Sequence, residues 1–415
     1  MADIEVWIDL EGEAKRVGVL YRQPRRGGEA VAFEYHPDWL GDADRFSIEP
    51  ALVLGGGAFT PPNGVTLFGS IGDSAPDTWG RRLMQRAERL AAASEGRAVR
   101  TLSEADYLLG VTDVSRLGAL RFKKVGGEVF EAQVDRGVPS LVDLGRLLGV
   151  TDRLLKDEES AEDLQLIFAP GSSLGGARPK ASVLNQHGQL AIAKFPKPDD
   201  DYSIERWEAV ALTLARSAGI EVADHSLIQV DGRDILLSQR FDRAGVVRKP
   251  FLSAMSILGL RDGQGASYPD LVDALIQFGS QARQDALELY RRMVFNVLIS
   301  NVDDHLRNHG FLWAGQAGWT LSPAYDLNPT PVDLKARILS TAIIPDDGTC
   351  DIELVRSAAG YFNLSDGAAR AVISEVAEVT RTWRDVAGRL GVKASEISRI
   401  ESAFEHDDLA RALQI

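Results

Sequence analysis

The stretch from residue 285 to residue 313 constrains the fold more than any other part of this 415-residue chain. Between residues 285 and 300, apolar side chains recur at helical spacing, which predicts a helix packed in a core. These are Leu289, Met293, Val294, Val297 and Leu298. A polar run from Asn301 to Asn308 follows at once, and Gly310 to Trp313 then has the pattern of a short strand. We therefore predict a polar loop at the end of a buried helix.

The rest of the chain predicts an α+β fold. Three stretches of alternating apolar residues within the first 35 positions predict an antiparallel meander. Residues 77–90 predict a helix, residues 181–195 a hairpin and residues 203–218 a second helix, and the chain beyond residue 250 is mainly helical. One face of the helix over 77–90 would carry Trp79, Leu83, Ala87 and Leu90. The expected division is a small N-terminal α/β lobe over 1–125, a β-rich lobe over 126–245 and a helical lobe over 246–415.

Charge and cysteine content exclude several classes of protein. The formal net charge is −14, so the mean field repels nucleic-acid phosphates and disfavours direct DNA binding. A single cysteine, Cys350, permits no internal disulfide and no cysteine-built zinc site. The chain shows neither a signal-peptide pattern nor a membrane-spanning apolar run. We therefore expect a soluble cytoplasmic protein.

Asp303 and Asn308 lie five positions apart within the polar loop. Phosphoryl transfer uses this arrangement, because the carboxylate accepts the proton of the acceptor hydroxyl while the amide oxygen ligates Mg²⁺. Asp and Asn are also common in turns, so the spacing by itself leaves an ordinary turn open.

Three further residues strengthen the interpretation as a phosphotransferase. Asp326 follows the short strand, where kinases carry a second Mg²⁺-binding Asp. Lys194 lies within an apolar strand, where its ammonium group could contact nucleotide phosphates, and the next helix offers Glu208 as its partner. The alternatives are a turn Asp before Asn328 and a Lys that extends to solvent from an edge strand.

A Ser- and Gly-rich stretch, residues 171–180, precedes the predicted hairpin. Its backbone N–H groups could bind phosphate oxygens, and Lys180 adds positive charge. The stretch contains neither G-x-x-x-x-G-K-[ST] nor G-x-G-x-x-G, so a flexible loop stays open as the alternative.

The order of these signals along the chain is that of a kinase: a Gly-rich loop, a strand Lys, a helix Glu, an Asp-x4-Asn loop and a metal-binding Asp. With these residues the chain resembles the HipA family of bacterial serine/threonine kinases, the toxins of type II toxin–antitoxin systems. The resemblance extends to residues 65–80 and 238–243. It implies a small N-terminal lobe, then a bilobal core similar to protein and lipid kinases with a mainly helical C-terminal lobe.

The resemblance also implies roles for individual residues. Asp303 would be the catalytic base, Asn308 and Asp326 would bind Mg²⁺, and Lys194 would bind the phosphates of ATP. Further nucleotide contacts would be Gly175, Gly176, Ala177, Lys180, Glu208, Gln239, Phe241, His305, Arg307 and Tyr325. Gln239 and Phe241 would lie beside the adenine.

Regulation and partners follow from the same resemblance. A serine of the phosphate loop, Ser173 or the adjacent Ser172, would be autophosphorylated, which would silence the kinase. The expected partners are a helix-turn-helix antitoxin and a protein substrate such as an aminoacyl-tRNA synthetase. DNA would be contacted only through the antitoxin, and no membrane contact is expected. Two alternatives stay open: a small-molecule or lipid kinase with the same core, and an idle pseudokinase that only binds a partner.

Residues 386–401 have the helix, Gly turn and second helix of a DNA-reading unit. Acidic residues surround this stretch, among them Asp385, Glu396 and Glu401, and they would repel phosphates. We therefore predict two packed helices that close the C-terminal lobe.

Overall fold

The computed structural model describes residues 2–25, 28–62, 65–132, 138–171 and 176–415. The chain forms two compact units. The first consists of residues 1–199 and 228–252, and the second of residues 200–227 and 253–415. These units do not correspond one to one with the three predicted segments, whose boundaries stay a prediction. No helix in the described ranges is both long and apolar enough to cross a bilayer.

The first unit opens with a five-stranded antiparallel sheet in the order β4-β3-β2-β1-β5. Its strands are β1 (Ile4–Leu10), β2 (Glu13–Arg25), β3 (Gly28–Tyr35), β4 (Ala58–Phe59) and β5 (Leu120–Lys124). In β1, Ile4, Val6 and Ile8 are buried while Glu5 and Trp7 are half-buried. This period of two is the pattern of a strand with one face in the core, and it confirms the predicted meander.

Among the residues that the structure describes, six helices belong to the first unit. They are α1 (Pro37–Gly41), α2 (Gly69–Asp73), α3 (Thr78–Ser94), α4 (Glu104–Gly110), α5 (Leu144–Leu155) and α6 (Ala161–Gly171). α3 begins where the sequence predicts, with Asp77 as its N-cap. Trp79 and Leu83 are buried as predicted, but Leu90 is 38% exposed, because Met84 and Ala92 complete the buried face instead.

The second sheet of the first unit contains the predicted hairpin. β6 (Lys180–Leu184) pairs antiparallel with β7 (Leu190–Lys194), which pairs antiparallel with β9 (Arg233–Gln239). Its apolar side chains share one core with α3, α5 and α6. β8 (His225–Val230) carries the chain back into the first unit. The short strands that follow are β10 (Arg243–Ala244), β11 (Val247–Arg248) and β12 (Phe251–Ser253).

The second unit is mainly helical, as predicted. Its elements in chain order are α7 (Ile204–Ser217), α8 (Ala254–Ile257), α9 (Tyr268–Phe278), α10 (Ala282–Leu298), β13 (Gly310–Trp313), β14 (Trp319–Leu321), α11 (Ile352–Ser357), α12 (Asp366–Thr380), α13 (Trp383–Arg389), α14 (Ala394–Phe404) and α15 (Asp407–Ala412). The helix, polar loop and strand over residues 285–313 are thus confirmed. β13 and β14 form the hairpin that separates Asn308 from Asp326.

The helix-turn-helix-like stretch forms α13 and α14, which are fastened to α7. The guanidinium of Arg206 donates to the carbonyl of Gly391 in the turn, and Glu396 in the first turn of α14 accepts the backbone N–H of Ser203 at 3.2 Å. The rings of Trp383 and Phe404 stack with centroids 4.7 Å apart. The first turn of α14, which a DNA-reading helix would present to bases, is thus engaged within the unit.

Candidate active site

The polar loop after α10 exposes one of its two adjacent aspartates and buries the other. Ser300 takes the left-handed backbone conformation (φ +54°), which turns the chain out of the helix, and its hydroxyl donates to the carbonyl of Ala403 at 2.9 Å. The side chain of Asp303 is 60% exposed, whereas Asp304 is buried. The predicted base is therefore accessible to a substrate, while its neighbour belongs to the core.

Asp304 anchors the loop through both its side chain and its backbone. The Tyr268 hydroxyl donates to its carboxylate at 2.5 Å, and the backbone N–H and hydroxyl of Thr341 donate to its carbonyl at 2.9 and 2.6 Å. Nε2 of His309 lies 3.0 Å from the carboxylate, close enough for an ion pair but poorly aligned for a hydrogen bond. Burial and the charge of Asp304 raise the pKa of Tyr268 well above its ordinary value, so the phenol stays a donor. Asp303 is thus carried on an immobilised backbone.

Asn308 lies over the backbone of the predicted base. Its side-chain nitrogen donates to the carbonyl of Asp303 at 3.0 Å, and its backbone N–H donates to the carbonyl of His305 at 2.7 Å. Because the amide nitrogen is used in this way, the amide oxygen is the atom that could ligate a cation. Nδ1 of His305 is buried and makes no hydrogen bond to any residue that the structure describes.

The segment that carries Asp326 is tied to the polar loop at two points. The hydroxyl of Tyr325 donates to the carbonyl of Arg307 at 2.7 Å, and the side-chain oxygen of Asn301 accepts the backbone N–H of Asn328 at 3.2 Å. Asp326 itself has a left-handed backbone (φ +58°), which costs energy in a non-glycine residue and recurs at functional sites. The second unit therefore brings Asp303 and Asn308 into one hydrogen-bonded assembly with the segment of Asp326.

Arg307 and Tyr325 use their polar groups within the protein. The guanidinium of Arg307 lies 3.0 Å from the carboxylate of Asp262, and its carbonyl accepts the Tyr325 hydroxyl. The nucleotide contacts that the sequence predicts for Arg307, Tyr325 and His305 stay predictions.

The predicted hairpin brings two lysines together in the first unit. Lys180 and Lys194 are directly opposite each other in the register of β6 and β7. Residues opposite each other in an antiparallel pair project from the same face, with Cβ atoms about 5 Å apart. Lys180 is buried and Lys194 is half-buried. The register thus places both lysines on one face at this end of the hairpin, and their contact with phosphates stays a prediction.

The N-terminus of α3 holds the end of the predicted phosphate loop. Asp77 accepts the backbone N–H of Gly176 at 2.7 Å. Trp79 donates its backbone N–H to the carbonyl of Gly176 at 3.1 Å and its indole N–H to the carbonyl of Lys180 at 2.9 Å. Gly176 has φ +82°, and a Cβ there would come within 2.8 Å of the Lys180 ammonium, so the position favours glycine. Ala177 is exposed.

Three predicted loop residues, Ser172, Ser173 and Gly175, lie outside the described residues. Glu208 is buried on α7 of the second unit, and its pairing with Lys194 stays a prediction.

The predicted adenine-side residues follow β9. The side chain of Gln239 donates to Gln189 at 3.3 Å, and the ring of Phe241 packs 6.2 Å from that of Phe251. Their contact with adenine stays a prediction. Arg240 and Asp242, which alternate with them, are buried and form a close ion pair at 2.5 Å.

Three residues that fix the candidate residues were not predicted from the sequence: Asp304 in the second unit, and Asp77 and Trp79 in the first. Asp304 is adjacent to Asp303, and nothing in the pattern tells which of the two is buried. The position of Asp77 just before an amphipathic helix is a signal for an N-cap. Its contact with Gly176 joins segments 99 residues apart, and no local pattern indicates it. The sequence pattern places Trp79 on a helix face, and only the structure shows that its indole N–H also donates to the carbonyl of Lys180.

Two residues of the second unit could hold a cation. Within the ranges that the structure describes, no three His, Cys, Asp or Glu side chains are grouped to hold a metal. Asp326 and Asn308 supply oxygen donors, which Mg²⁺ prefers, and Mg²⁺ commonly completes its shell with water and substrate phosphates. Asn308 Oδ1 and the Asp326 carboxylate are the atoms that would hold it.

Comparison with solved structures identifies the class of fold. Over 99% of this chain and 96% of the other, the structure is similar to HipA of Shewanella oneidensis MR-1, solved in complex with HipB and its operator DNA, with a TM-score of 0.66 and 16% sequence identity. The fold is the α+β, kinase-like fold of HipA, as the sequence predicts.

Sequence comparison identifies the family. The profile described as the HipA-like C-terminal domain matches residues 172–383, so the chain belongs to the HipA-like family. A Sinorhizobium fredii protein named putative kinase Y4mE is 25% identical over 372 residues, 83% of this chain and 78% of that protein. A Haemophilus influenzae protein, also named a putative kinase, is 23% identical over 202 residues, 42% of this chain and 58% of that protein. Family and relatives support phosphotransferase chemistry.

Proposed function

We propose that this protein is an ATP- and Mg²⁺-dependent protein serine/threonine kinase. The observation that carries the proposal is the construction of the polar loop. Asp303 presents an exposed carboxylate on a backbone that Asp304 fixes in the core, and Asn308 is bonded to the carbonyl of Asp303. A catalytic base needs this combination of access and fixed position, because phosphoryl transfer is accelerated chiefly by positioning and charge stabilisation.

In the proposed reaction, the acceptor hydroxyl oxygen forms a bond to the γ-phosphorus of ATP. The bond from that phosphorus to the β,γ-bridging oxygen breaks, ADP leaves, and the hydroxyl proton passes to the carboxylate of Asp303. Lys180 and Lys194 supply positive charge for the phosphates, and their opposed register supports this role. Bound Mg²⁺ would neutralise phosphate charge, held by Asn308 and Asp326.

We further propose that the kinase acts in the cytoplasm as the toxin of a type II toxin–antitoxin system. Family membership supports this role, and the similar HipA was solved with HipB and operator DNA. The expected partner is a helix-turn-helix antitoxin, through which DNA would be contacted indirectly. The substrate would be a protein, an aminoacyl-tRNA synthetase being the first to test. Autophosphorylation at Ser173 or Ser172 would silence the enzyme.

Transfer of ³²P from ATP tests the enzymatic proposal. Purified protein would be incubated with labelled ATP and Mg²⁺, alone and with a bacterial lysate. Asp303→Asn should abolish labelling of both. Asp273→Asn, the same change at an exposed position on α9, should leave labelling unchanged. Equal labelling by the Asp303 and Asp273 variants would refute the assignment of the base.

The same experiment separates the alternative functions. Label in a dialysable or organic-extractable product, with no labelled protein, would indicate a small-molecule or lipid kinase. Binding of an antitoxin without any ATP turnover would indicate a pseudokinase. Mass spectrometry of the purified protein should locate phosphate on Ser172 or Ser173. Co-expression with a helix-turn-helix protein from the neighbouring gene should relieve growth inhibition.

A further inference from the structure

The segment from Pro331 to Ile338, downstream of Asp326, is fixed to the second unit at both ends. Near its start, the backbone N–H of Val332 donates to the hydroxyl of Ser402 on α14 at 3.3 Å. Near its end, the guanidinium of Arg337 donates to the Ser300 hydroxyl at 3.0 Å and to Asp408 at 2.5 Å. The segment is therefore an ordered part of the surface. We call it the 331–338 ledge.

The ledge exposes three aliphatic side chains. Val332, Leu334 and Ile338 are 46%, 49% and 56% exposed. The second unit has seven large hydrophobic residues at least 36% exposed, and these three fall within seven positions of each other. The other four are Ile276, Leu287, Tyr361 and Leu413, which are scattered along the chain. Single exposed hydrophobics are ordinary, but a cluster on an ordered segment is typical of a binding surface.

The ledge adjoins the proposed catalytic base. The ammonium of Lys335, between Leu334 and Ile338 in the chain, lies 3.1 Å from the carboxylate of Asp303. Both side chains are more than half exposed, and ion pairs of this kind contribute little to stability. Lys335 can therefore leave Asp303 at little cost when a hydroxyl group approaches that carboxylate.

We propose that the 331–338 ledge docks the acceptor segment of the protein substrate, and that it selects an extended segment with an aliphatic residue close to the phosphorylated serine or threonine. The occupant follows from two observations together. The ledge touches the residue that must receive the acceptor hydroxyl, and its exposed surface is aliphatic. A small polar acceptor would bury none of this surface, whereas a peptide chain passing Asp303 would cover it. The inference rests on the proposed function and adds the sequence preference of the acceptor.

A positional-scanning library of synthetic peptides, each with one central serine, tests the proposal with labelled ATP. The wild-type protein should label peptides with Val, Leu or Ile beside the serine about tenfold faster than those with Ser or Gly there, which is the discrimination that one buried aliphatic group typically gives. The triple variant Val332→Ser, Leu334→Ser, Ile338→Ser should reduce that ratio to about twofold or less. Ile276→Ser, at another exposed aliphatic position, should keep it.

The outcomes distinguish the inference from the function on which it rests. The docking proposal is wrong if the wild-type protein shows no aliphatic preference, or if the triple variant keeps that preference. Neither result contradicts the proposed kinase activity. Self-labelling with no labelling of any peptide also overturns the docking proposal. Absence of all Asp303-dependent transfer overturns both. The thermal midpoint of each variant, measured by circular dichroism, confirms that a lost preference is not a lost fold.

Discussion

The carboxylate of Asp77 accepts the backbone N–H of Gly176 at 2.7 Å, although 99 residues separate them in the chain. Its other oxygen accepts the N–H of Thr78, also at 2.7 Å, and so caps α3. One side chain thus fixes both the start of a helix and a glycine within the proposed phosphate loop. Helix stability and the geometry of that loop are coupled through Asp77.

Asp77→Ala should therefore produce two effects. Loss of the N-cap should lower the free energy of unfolding by about 1 kcal/mol. Loss of the Gly176 contact should raise the KM for ATP several-fold, because the loop end is no longer held beside Lys180. Ser365→Ala, which removes the N-cap of α12, is the matched control and should lower stability while leaving this KM unchanged. Thermal unfolding and phosphate-transfer kinetics measure the two effects, and an unchanged KM in Asp77→Ala would contradict the coupling.

Asp242→Asn should destabilise the first unit strongly. The Asp242 carboxylate accepts from the guanidinium groups of Arg240 and Arg243 and from the backbone N–H of Gly118. Burial by itself would raise the pKa of Asp242, but the two guanidinium groups outweigh it and hold the pKa at about 2. Removing the charge leaves buried guanidinium groups uncompensated, which costs about 3–5 kcal/mol. Urea unfolding followed by circular dichroism measures the loss.

The control for Asp242→Asn is the same substitution in an ion pair at the surface. Asp366, whose side chain is 60% exposed, pairs with the half-buried Arg356. Asp366→Asn should barely move the urea midpoint, since exposed pairs contribute little. Equal shifts for the two variants would show that burial of the Asp242 network does not matter.

Stability should fall between pH 4.5 and pH 7 because of Glu49. This buried carboxylate accepts the N–H of Ser70 at 2.6 Å, and burial raises its pKa to about 7. In the unfolded chain the group ionises near pH 4.5, so the folded state binds the extra proton in this window. The contribution is complete below pH 4.5 and is lost as the pH rises through 7. Glu49→Gln keeps the acceptor oxygen and removes the titration.

Urea midpoints measured from pH 4 to pH 8 test the role of Glu49. The difference in unfolding free energy between wild type and Glu49→Gln should change by about 2–3 kcal/mol across the window. Parallel profiles for the two proteins would mean that Glu49 keeps an ordinary pKa.

Cys350 should be inert in the folded protein. Its thiol is buried, and burial raises its pKa to about 12, so almost no thiolate exists at neutral pH. Iodoacetamide at pH 8 should modify no thiol in the native protein and one thiol in urea. Mass spectrometry measures the number of modified thiols. Rapid native labelling would show that the surroundings of Cys350 open without unfolding.

Local patterns predicted much of this fold because they depend on neighbours in the chain. The stripe of α10 and the short apolar run of β13 require only short-range spacing, and both elements lie where the sequence indicates. The opposition of Lys180 and Lys194 follows from the turn between their strands, since the turn fixes the register.

The parts that could not be predicted depend on contacts between distant segments. Asp303 and Asp304 are chemically identical neighbours, and contacts of Asp304 with the distant residues Tyr268 and Thr341 distinguish the buried one. Leu90 fits the helical pattern of apolar residues, but its side chain is exposed and does not pack in the core. Lys335 and Asp303 are 32 positions apart, on either side of the hairpin of β13 and β14, and no local pattern predicts their contact.

The hydrogen bond from the Ser300 hydroxyl to the Ala403 carbonyl has a consequence for folding during synthesis. Ser300 stands immediately before the polar loop, and Arg337 links it to Asp408. Translation delivers the N-terminal part of a chain first, so Asp303 emerges long before these supports exist. The loop cannot reach its final form until residue 408 has left the ribosome. The order of synthesis thus delays assembly of the proposed catalytic centre until the segment around residue 408 has been made.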